Sequence, residues 1–514
     1  MNTKLVINFL GNMHSNPYQI AICDSQQSYT YQQLYDLAKK NSQSLKNIFP
    51  NFPGRNVLMI IADRSLDTVV WMISSILAGI PFLNVNEKYP ESYILKTIAE
   101  IDPKAYVMTG KRNFHSSLLD GNRVIDKKKI TLYSTPQLPS IEPFVDDDGP
   151  IYMVRTSGTT GNPKTSIILH SCLENYTKAI KSYHELTKIK HVCLSHLEPN
   201  FDIFIKEILL PLQFGATVYL ANETEKNDPF LFASLINRLK PHWLNITFSL
   251  YENIRELLKP KVVRHLIFVG EKVNNITPSL FEIASNAWNE YGPSECTLGF
   301  TLKKLEKKCI NTAPSIGKAL LNNNVYVLDS NENKELPFNQ PGELVLTGKN
   351  LGAGYLLEDE EKRFATRSIT LNNGMTLTCY SYRSGDLGYK DENNDLHYIS
   401  RLGSLIKIRG QFVDLQALAR EIQTLPFIKS VRVEYCNFIG EYYSILAYVI
   451  LKENKLDSPE KLIREFLKAN HLQYEIPDYI IPISSWPTNM NGKINQFALR
   501  EIAKTHFSIV RGNL

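Results

Sequence analysis

Cysteine is scarce in this sequence, and none of it is arranged in pairs. Seven cysteines are scattered over 514 residues, and no two of them stand in a Cys-x-x-Cys spacing. An odd, scattered set argues against a disulfide framework and against a zinc site. The pattern is typical of a reducing compartment, so we expect a cytoplasmic protein.

The chain also lacks a long uninterrupted apolar run. Its most apolar window, residues 68–85, is broken by two serines, a glycine and a proline. That indicates a buried helix followed by a strand rather than a membrane span. Residues 1–10 have neither the basic start nor the long apolar core of a signal peptide. We therefore expect no membrane insertion.

Neither sign of charge dominates. The formal net charge is +5, and no basic block with interleaved aromatic residues occurs. A nucleic-acid-binding surface is therefore not expected. A chain of 514 residues is too long for one compact core, so two or more domains are expected.

The order of apolar runs predicts the fold class. Strand-like runs alternate with helical patterns through residues 29–269, which is typical of an α/β protein with doubly wound, mainly parallel sheets. From Ser315 the runs become short and are separated by Gly, Asn and Pro, which predicts a β-rich subdomain over about 315–400. A small α+β domain is expected over 401–514, after an N-terminal domain over 1–400. The expected strands are 29–31, 57–61, 105–108, 151–154, 242–246, 265–269, 325–328, 343–346, 376–379, 396–399, 431–435 and 443–450, and the expected helices include 32–48, 65–77, 415–422, 459–469 and 497–503.

The most informative motif is a loop rich in glycine and hydroxyl residues over 152–164. Glycine permits a close approach of the backbone to an anion, and successive N–H groups, hydroxyls and a lysine can wrap a phosphate. The order Gly158-x-x-Gly161-x-x-Lys164 is not that of a Walker A loop. The motif predicts a site for a nucleotide polyphosphate; the alternative is an ordinary surface loop.

Several further motifs follow the loop along the chain. Tyr291 precedes a Gly-Pro turn and could stack on a base, and Glu295 just after it could hold Mg²⁺ beside phosphates. Asp386, expected in a glycine-flanked turn, could take both ribose hydroxyls. Basic residues follow over 400–410, and Lys493 is expected on a turn near the C terminus. Each motif taken alone is more often a turn or a solvated charge.

Taken together and in this order, the motifs resemble those of the adenylate-forming superfamily, which includes acyl-CoA synthetases, luciferases and nonribosomal peptide synthetase adenylation domains. The resemblance covers nearly the whole chain. It implies a large N-terminal domain of stacked mixed and parallel sheets with helices, and a small mobile C-terminal domain. It also implies that a carboxylate and MgATP form an acyl-adenylate, whose acyl group then passes to a thiol.

The resemblance assigns roles to residues of this chain. The β- and γ-phosphates fall to Thr156, Ser157, Gly158, Thr159, Thr160, Gly161 and Lys164, adenine to Tyr291 and Asn289, the α-phosphate to Ser294, Mg²⁺ to Glu295, and ribose to Asp386 and Arg401. Lys493 is the catalytic residue, which stabilises the negative charge that builds up when a carboxylate attacks a phosphate. Gly403 stands at the hinge, where the family carries Asp or Lys.

The substrate class depends on Asp202. The pair Phe201-Asp202 matches amino-acid-activating members, in which the aspartate pairs with the α-ammonium group of the substrate. An acyl-CoA synthetase for fatty acids has no use for a buried anion there, because an unpaired buried charge is costly. The alternative is an aspartate that caps a helix.

The side-chain pocket is expected to contain two charged residues. By resemblance the substrate residues, besides Asp202, are Ile203, Lys206, Ile267, Val269, Glu290, Leu298 and Gly299. Lys206 and Glu290 could pair with each other and leave room only for glycine or alanine, or one of them could meet a charged substrate. The resemblance to stand-alone D-alanine–carrier protein ligases favours a small amino acid.

The acceptor and the oddities of the chain complete the expectations. Only 21 residues follow Lys493. We therefore expect the acceptor thiol on the phosphopantetheine arm of a separate acyl or peptidyl carrier protein, or on CoA. We also expect the enzyme to be a monomer. Arg155 and Thr165 depart from the family's loop and have no explanation in the sequence. An acyl- or aryl-CoA synthetase, or a non-catalytic binding relative, are the alternative functions.

Overall fold

The computed structural model describes most of the chain and divides it into two compact units. The first unit comprises Met1–Ser384 and Gly388–Tyr398, and the second comprises Gly385–Leu387 and Ile399–Leu514. The described residues are 4–49, 55–89, 91–110, 124–125, 148–156, 164–181, 183, 191–329, 332–357, 362–402, 405–408, 411–437, 443–452, 458–468, 476–488 and 494–512.

Thirteen α-helices occur among the described residues. They are α1 (Lys4–Ser15), α2 (Tyr31–Ile48), α3 (Leu66–Ala78), α4 (Glu91–Ile101), α5 (His170–Lys181), α6 (Asp202–Gln213), α7 (Glu223–Asn227), α8 (Pro229–Leu239), α9 (Phe248–Ile254), α10 (Ser279–Ile283), α11 (Leu415–Gln423), α12 (Pro459–Lys468) and α13 (Gln496–Gly512). Short 3₁₀ helices span Arg255–Leu257, Ser294–Cys296 and Lys307–Cys309.

The described strands number twenty-six. They are β1 (Ile20–Cys23), β2 (Ser28–Thr30), β3 (Arg55–Ala62), β4 (Phe82–Asn86), β5 (Pro103–Met108), β6 (Val124–Ile125), β7 (Pro150–Thr156), β8 (Lys164–Leu169), β9 (Val192–Ser195), β10 (Thr217–Leu220), β11 (Trp243–Ile246), β12 (Val263–Phe268), β13 (Ala284–Tyr291), β14 (Thr301–Leu305), β15 (Lys318–Ala319), β16 (Asn323–Leu328), β17 (Gly342–Gly348), β18 (Gly354–Tyr355), β19 (Phe364–Thr370), β20 (Thr376–Lys390), β21 (Leu396–Arg401), β22 (Leu405–Ile408), β23 (Gln411–Asp414), β24 (Ile428–Asn437), β25 (Tyr443–Leu451) and β26 (Tyr479–Pro482).

Two large mixed sheets dominate the first unit. One has nine strands in the order β15-β14-β13-β12-β11-β9-β10-β1-β2, and the other has seven in the order β18-β8-β7-β4-β3-β5-β6. Their central strands pair in parallel, for example β9 with β10 and β11, and β3 with β4 and β5. Antiparallel strands lie at both ends of the nine-stranded sheet and at one end of the seven-stranded sheet. Because ligands bind beyond the carboxyl ends of parallel strands, this topology locates the expected site.

The seven-stranded sheet is buried on both faces, as the sequence of β3 predicts. Alternate side chains of a strand point to opposite faces. Leu58 and Ile60 join the core cluster that also holds α3, α6 and strands of the nine-stranded sheet. Val57 and Met59 join a second cluster that contains α4. A continuous apolar strand therefore separates two cores, which is typical of parallel sheets.

Local sequence signals explain where the buried helix α3 begins and ends. The Ser65 side chain accepts a hydrogen bond from the backbone N–H of Thr68, which caps the N terminus. Gly79 ends the helix with φ of 74°, a left-handed conformation that favours glycine. The window 68–85 is thus α3 followed by β4. Among the described helices none has both the length and the apolar character needed to cross a membrane.

A five-stranded sheet follows, in which β16, β17, β20 and β19 lie side by side and β21 pairs with β20. It corrects one expectation. Asp386 does not lie in a glycine-flanked turn: it lies within β20, which runs unbroken for 15 residues. Tyr382, Ser384, Asp386 and Gly388 are buried alternately with more exposed neighbours. This two-residue period forms a strand in spite of the glycines.

The second unit has its own core. Strands β24, β25 and β26 form one sheet and β22 and β23 another. Helices α11 and α12 pack their apolar faces, including Leu418 and Ile463, against β25 residues such as Ile445. The predicted α/β fold class, with stacked mixed sheets, a β-rich part and a small α+β part, is confirmed.

Candidate functional site

Asp202 stands beyond the carboxyl edge of the nine-stranded sheet, as the first residue of α6. It is not the helix cap: Phe201 occupies that position, without a side-chain capping bond. The Asp202 carboxylate accepts a hydrogen bond from the N–H of the next residue, Ile203, at 2.9 Å. Asp202 is therefore not the N-cap residue, although its carboxylate binds one N–H group of the first helical turn.

The Asp202 carboxyl is 5% exposed and carries a perturbed pKa. Burial raises its pKa to about 6 and nearby Glu295 adds to the rise, while hydrogen bonds from Ser294 and Ile203 and the positive charge of Lys206 oppose it. No cationic side chain forms an ion pair with Asp202 among the described residues. A buried anion in such surroundings favours a positively charged ligand group.

Lys206 and Glu290 form a buried ion pair one helical turn from Asp202. The Lys206 ammonium lies 2.5 Å from a Glu290 carboxylate oxygen, and their side chains are 0% and 1% exposed. The other Glu290 oxygen accepts a hydrogen bond from the Tyr176 hydroxyl at 2.5 Å. The pair therefore neutralises its own charges, as one of the two sequence interpretations expects.

Two aromatic residues that the sequence did not reveal complete this cluster. The Lys206 ammonium lies 5.3 Å from the Trp243 ring and 5.7 Å from the Tyr176 ring, within cation–π range. Tyr176 lies on α5 and Trp243 on β11, far from Lys206 in sequence. In the sequence, the one indication of this cluster is that tryptophan is rare: the chain has four.

Glycine at position 299 leaves room for the Glu290 side chain. A Cβ atom built there would lie 1.9 Å from a Glu290 carboxylate oxygen. The preceding residues, Thr297 and Leu298, have φ of 54° and 69°, an unusual pair of left-handed conformations that brings this segment against β13. The predicted wall residues Leu298, Ile267 and Val269 are buried in the same core cluster, and Ile203 packs against it.

The predicted adenine residues lie at the end of β13, and the predicted α-phosphate and magnesium residues follow that strand. Asn289 donates its side-chain amide to the Ser315 carbonyl at 3.0 Å, and the Tyr291 ring lies 6.2 Å from Tyr398. Ser294 and Glu295 occupy a 3₁₀ turn, and the buried Glu295 accepts a hydrogen bond from the Tyr355 hydroxyl at 3.0 Å. No group of three or more metal-binding side chains occurs in the described part of the chain.

The two unusual residues of the phosphate loop, Arg155 and Thr165, contact each other. Arg155 and Thr165 are directly opposed on the antiparallel strands β7 and β8, one rung below the Thr156–Lys164 pair. The Arg155 guanidinium donates to the Thr165 hydroxyl at 3.2 Å and to the Tyr93 hydroxyl at 3.3 Å, and pairs with Glu100. All three guanidinium nitrogens are thus bound, so Arg155 links the base of the loop to α4.

The remaining predicted residues lie in several places. Lys164 opens β8 with its ammonium 5.1 Å from the Tyr355 ring. In the second unit Arg401 and Asp386 pair at 3.3 Å. Six predicted loop and hinge residues and the catalytic lysine lie outside the described residues and stay predictions: Ser157, Gly158, Thr159, Thr160, Gly161, Gly403 and Lys493.

A family model for "AMP-binding enzyme" matches residues 11–356, which is more than half of the chain. The chain belongs to the AMP-binding enzyme family. The predicted resemblance to adenylate-forming enzymes is confirmed at the level of the family. The match spans Asp202, the Lys206–Glu290 pair and the 289–295 motif, but it ends before the second unit.

Among curated relatives of the family, one component of the plipastatin synthase of Bacillus subtilis (strain 168) is 27% identical over 99% of the chain. The chain covers 20% of that relative and 14% of another, tyrocidine synthase 2 of Brevibacillus parabrevis. The chain thus spans a fifth or less of the length of these relatives.

Solved structures of the family share the fold. The ATP-bound RpMatB-BxBclM chimera B3 superposes with a TM-score of 0.78 at 20% identity, covering 99% of this chain and all of that one. At this identity the likeness shows the fold alone, so the substrate must be inferred from the site of this chain.

Proposed function

We propose that the protein activates a small amino acid, glycine or alanine, as its aminoacyl-adenylate and transfers it to the phosphopantetheine thiol of a separate carrier protein. In the first step a substrate carboxylate oxygen attacks the α-phosphorus of ATP, and the α–β phosphoanhydride bond breaks to release pyrophosphate. In the second step the thiol attacks the acyl carbon, the thiol proton is lost, and AMP leaves.

The observation that carries this proposal is the buried carboxylate of Asp202. It is 5% exposed and has no protein cation paired with it in the described chain. An α-ammonium group in contact with it would offset the free-energy cost of burying the anion. A plain carboxylic acid would leave the anion uncompensated, so the site discriminates in favour of amino acids.

The Lys206–Glu290 pair supports a small side chain. Both residues stand at predicted pocket positions, and together with Tyr176 and Trp243 they form a closed, charge-balanced cluster. Separating a buried pair to admit a charged substrate would leave buried charges unmatched, which is costly. The proposed pocket would therefore accept a hydrogen atom or a methyl group beyond the substrate's α-carbon.

The proposed nucleotide contacts follow the motif. Tyr291 and Asn289 bind adenine, Ser294 binds the α-phosphate, residues 156–161 and Lys164 bind the outer phosphates, and Asp386 and Arg401 bind ribose. Glu295 fits a magnesium ligand, because Mg²⁺ in nucleotide sites takes one or two carboxylates together with phosphate oxygens. The ion would offset phosphate charge, while Lys493 stabilises the charge that develops during attack.

The test is ATP–pyrophosphate exchange with purified protein against glycine, both enantiomers of the other amino acids, and simple carboxylic acids. We expect glycine or alanine to give the highest kcat/KM. Strong exchange only with a large or charged amino acid would contradict the small pocket. Exchange only with aliphatic or aromatic acids, followed by CoA thioester formation, would instead identify an acyl- or aryl-CoA synthetase.

A further inference from the structure

The turn that leads into α6 is held by a buried carboxylate on the same helix. One oxygen of Glu207 accepts hydrogen bonds from the Ser195 hydroxyl at 3.0 Å, the His196 N–H at 3.1 Å and the Leu197 N–H at 3.3 Å. Glu207 is 2% exposed. Three donors on one buried oxygen fix the turn 195–197 to the helix that begins at Asp202.

Arg64 holds the same turn by binding a backbone carbonyl group of the turn. Its guanidinium donates to the His196 carbonyl at 2.7 Å and to the Ala221 carbonyl at 2.6 Å, and its side chain is 1% exposed. Arg64 follows β3 of the seven-stranded sheet, whereas Ala221 follows β10 of the nine-stranded sheet. The turn is therefore fastened to both large sheets.

The side chain of His196 provides a third fixed point. Its Nε2 lies 2.8 Å from the Asn245 carbonyl on β11. Burial lowers the pKa of His196 to about 3, so the ring is neutral and Nε2–H is the donor. Two backbone N–H groups, a backbone carbonyl and the imidazole Nε2 of this turn are thus hydrogen-bonded within the protein, which restrains the turn.

We infer that Glu207 and Arg64 are positioning residues for Asp202, and therefore for the ammonium group of the substrate. The inference rests on the proposed role of Asp202. Helix α6 starts without a side-chain cap at Phe201, so the clamped turn, rather than a cap, sets where the helix begins. A carboxylate that must meet an ammonium group loses much of its effect when it is displaced by a fraction of an ångström.

The test separates the two substrates of the exchange reaction. In the Glu207→Gln variant the KM for the amino acid is expected to rise about tenfold, because the neutral amide is a weaker acceptor for three donors. The KM for MgATP is expected to stay within about twofold, since the nucleotide contacts lie elsewhere. If Glu207→Gln does not fold, Ser195→Ala removes one of the three bonds and gives a smaller shift in the same direction.

A double-mutant cycle with Asp202→Asn distinguishes positioning from general destabilisation. If Glu207 acts through Asp202, Glu207→Gln has no further effect on the amino-acid KM in the Asp202→Asn background. Glu343→Gln is the matched control, since it makes the same change at a buried carboxylate of β17, paired with Arg383 at 2.7 Å. It should lower stability without changing either KM.

The outcomes separate this inference from the proposed function. If Asp202→Asn leaves the amino-acid KM unchanged, the proposed role of Asp202 fails and the inference fails with it. If Asp202→Asn raises that KM but Glu207→Gln changes neither KM, or changes both equally, only the positioning role is overturned.

Discussion

Lys206 and Glu290 form a buried ion pair at two positions of the proposed substrate pocket. Each alone would be a costly buried charge beside a tryptophan and a tyrosine, whereas together their charges nearly cancel. The pair is weak grounds for stability, because replacing both charges by apolar groups is often neutral. Under the proposed function the pair acts in specificity instead: its two long side chains would occupy the space that a larger substrate side chain would need.

The energetics of this pair can be measured directly. Glu290→Leu leaves the Lys206 ammonium buried without its carboxylate, so the free energy of unfolding should fall by about 3–5 kcal/mol. Lys206→Met with Glu290→Leu should recover most of that loss. Urea unfolding at pH 7 makes the comparison, with Lys308→Met, at an exposed ion pair, as the control. Equal losses in the single and double variants would refute the compensation.

Asp202 should make amino-acid use dependent on pH. Burial raises its pKa to about 6, so below that pH the carboxyl is protonated and cannot pair with an ammonium group. The kcat/KM for the amino acid should therefore fall as pH drops from 7 to 5, and Asp202→Asn should remove this dependence. An identical profile in the variant would assign the titration to another group.

The same carboxyl links pH to stability. Because its pKa is higher in the folded protein than in the unfolded chain, the folded state holds the proton to higher pH. The free energy of unfolding of the unliganded protein should thus decline as pH rises from about 4 through 6. Asp202→Asn should reduce that slope in thermal unfolding scans without abolishing it, because burial also raises the pKa of Glu207, to about 7.

At the scale of elements, the β7–β8 hairpin shows an arginine with a structural role in a phosphate loop. Arg155 donates to Thr165 and Tyr93 and pairs with Glu100, so its charge is compensated within the protein. Arg155→Met should lower the free energy of unfolding by about 1–3 kcal/mol. It should raise the KM for MgATP much less than Lys164→Met does. A large rise in that KM with unchanged stability would make Arg155 a phosphate ligand.

Elements built on clear periodicity could be predicted from sequence. The expected strand 57–61 lies within β3 and the expected helix 459–469 matches α12 within one residue, because an apolar period is set by local chain geometry. The expected strand 376–379 is only the start of β20, whose full length could not be predicted, since its glycines suggest turns and pairing with β17, β19 and β21 extends it. Helix α1 was not anticipated either.

The same distinction holds in the site. Residues at motif positions, such as Asp202 and Glu295, could be identified from their neighbours in sequence. The partners of Lys206 and Arg155 could not, because Tyr176, Trp243, Tyr93 and Glu100 belong to distant elements. Contacts of that kind arise from tertiary packing, for which one sequence holds no local signal.

At the scale of the whole molecule, the proposed catalytic Lys493 belongs to the second unit, whereas Asp202 belongs to the first. Lys493→Ala should therefore reduce ATP–pyrophosphate exchange by about 100-fold or more while the amino-acid KM and thermal stability change little. Exchange at the wild-type rate would rule out Lys493 as the catalytic residue and favour a binding role for the second unit.

The central claim is that Asp202 receives the ammonium group of an amino-acid substrate. The most direct test compares kcat/KM for alanine and for propanoate, which differ only in the amino group, in the wild type and in Asp202→Asn. The account predicts that the wild type prefers alanine by about 10- to 100-fold or more and that the substitution largely abolishes this preference. Equal use of the two acids by the wild type, or a preference that survives in Asp202→Asn, would contradict it.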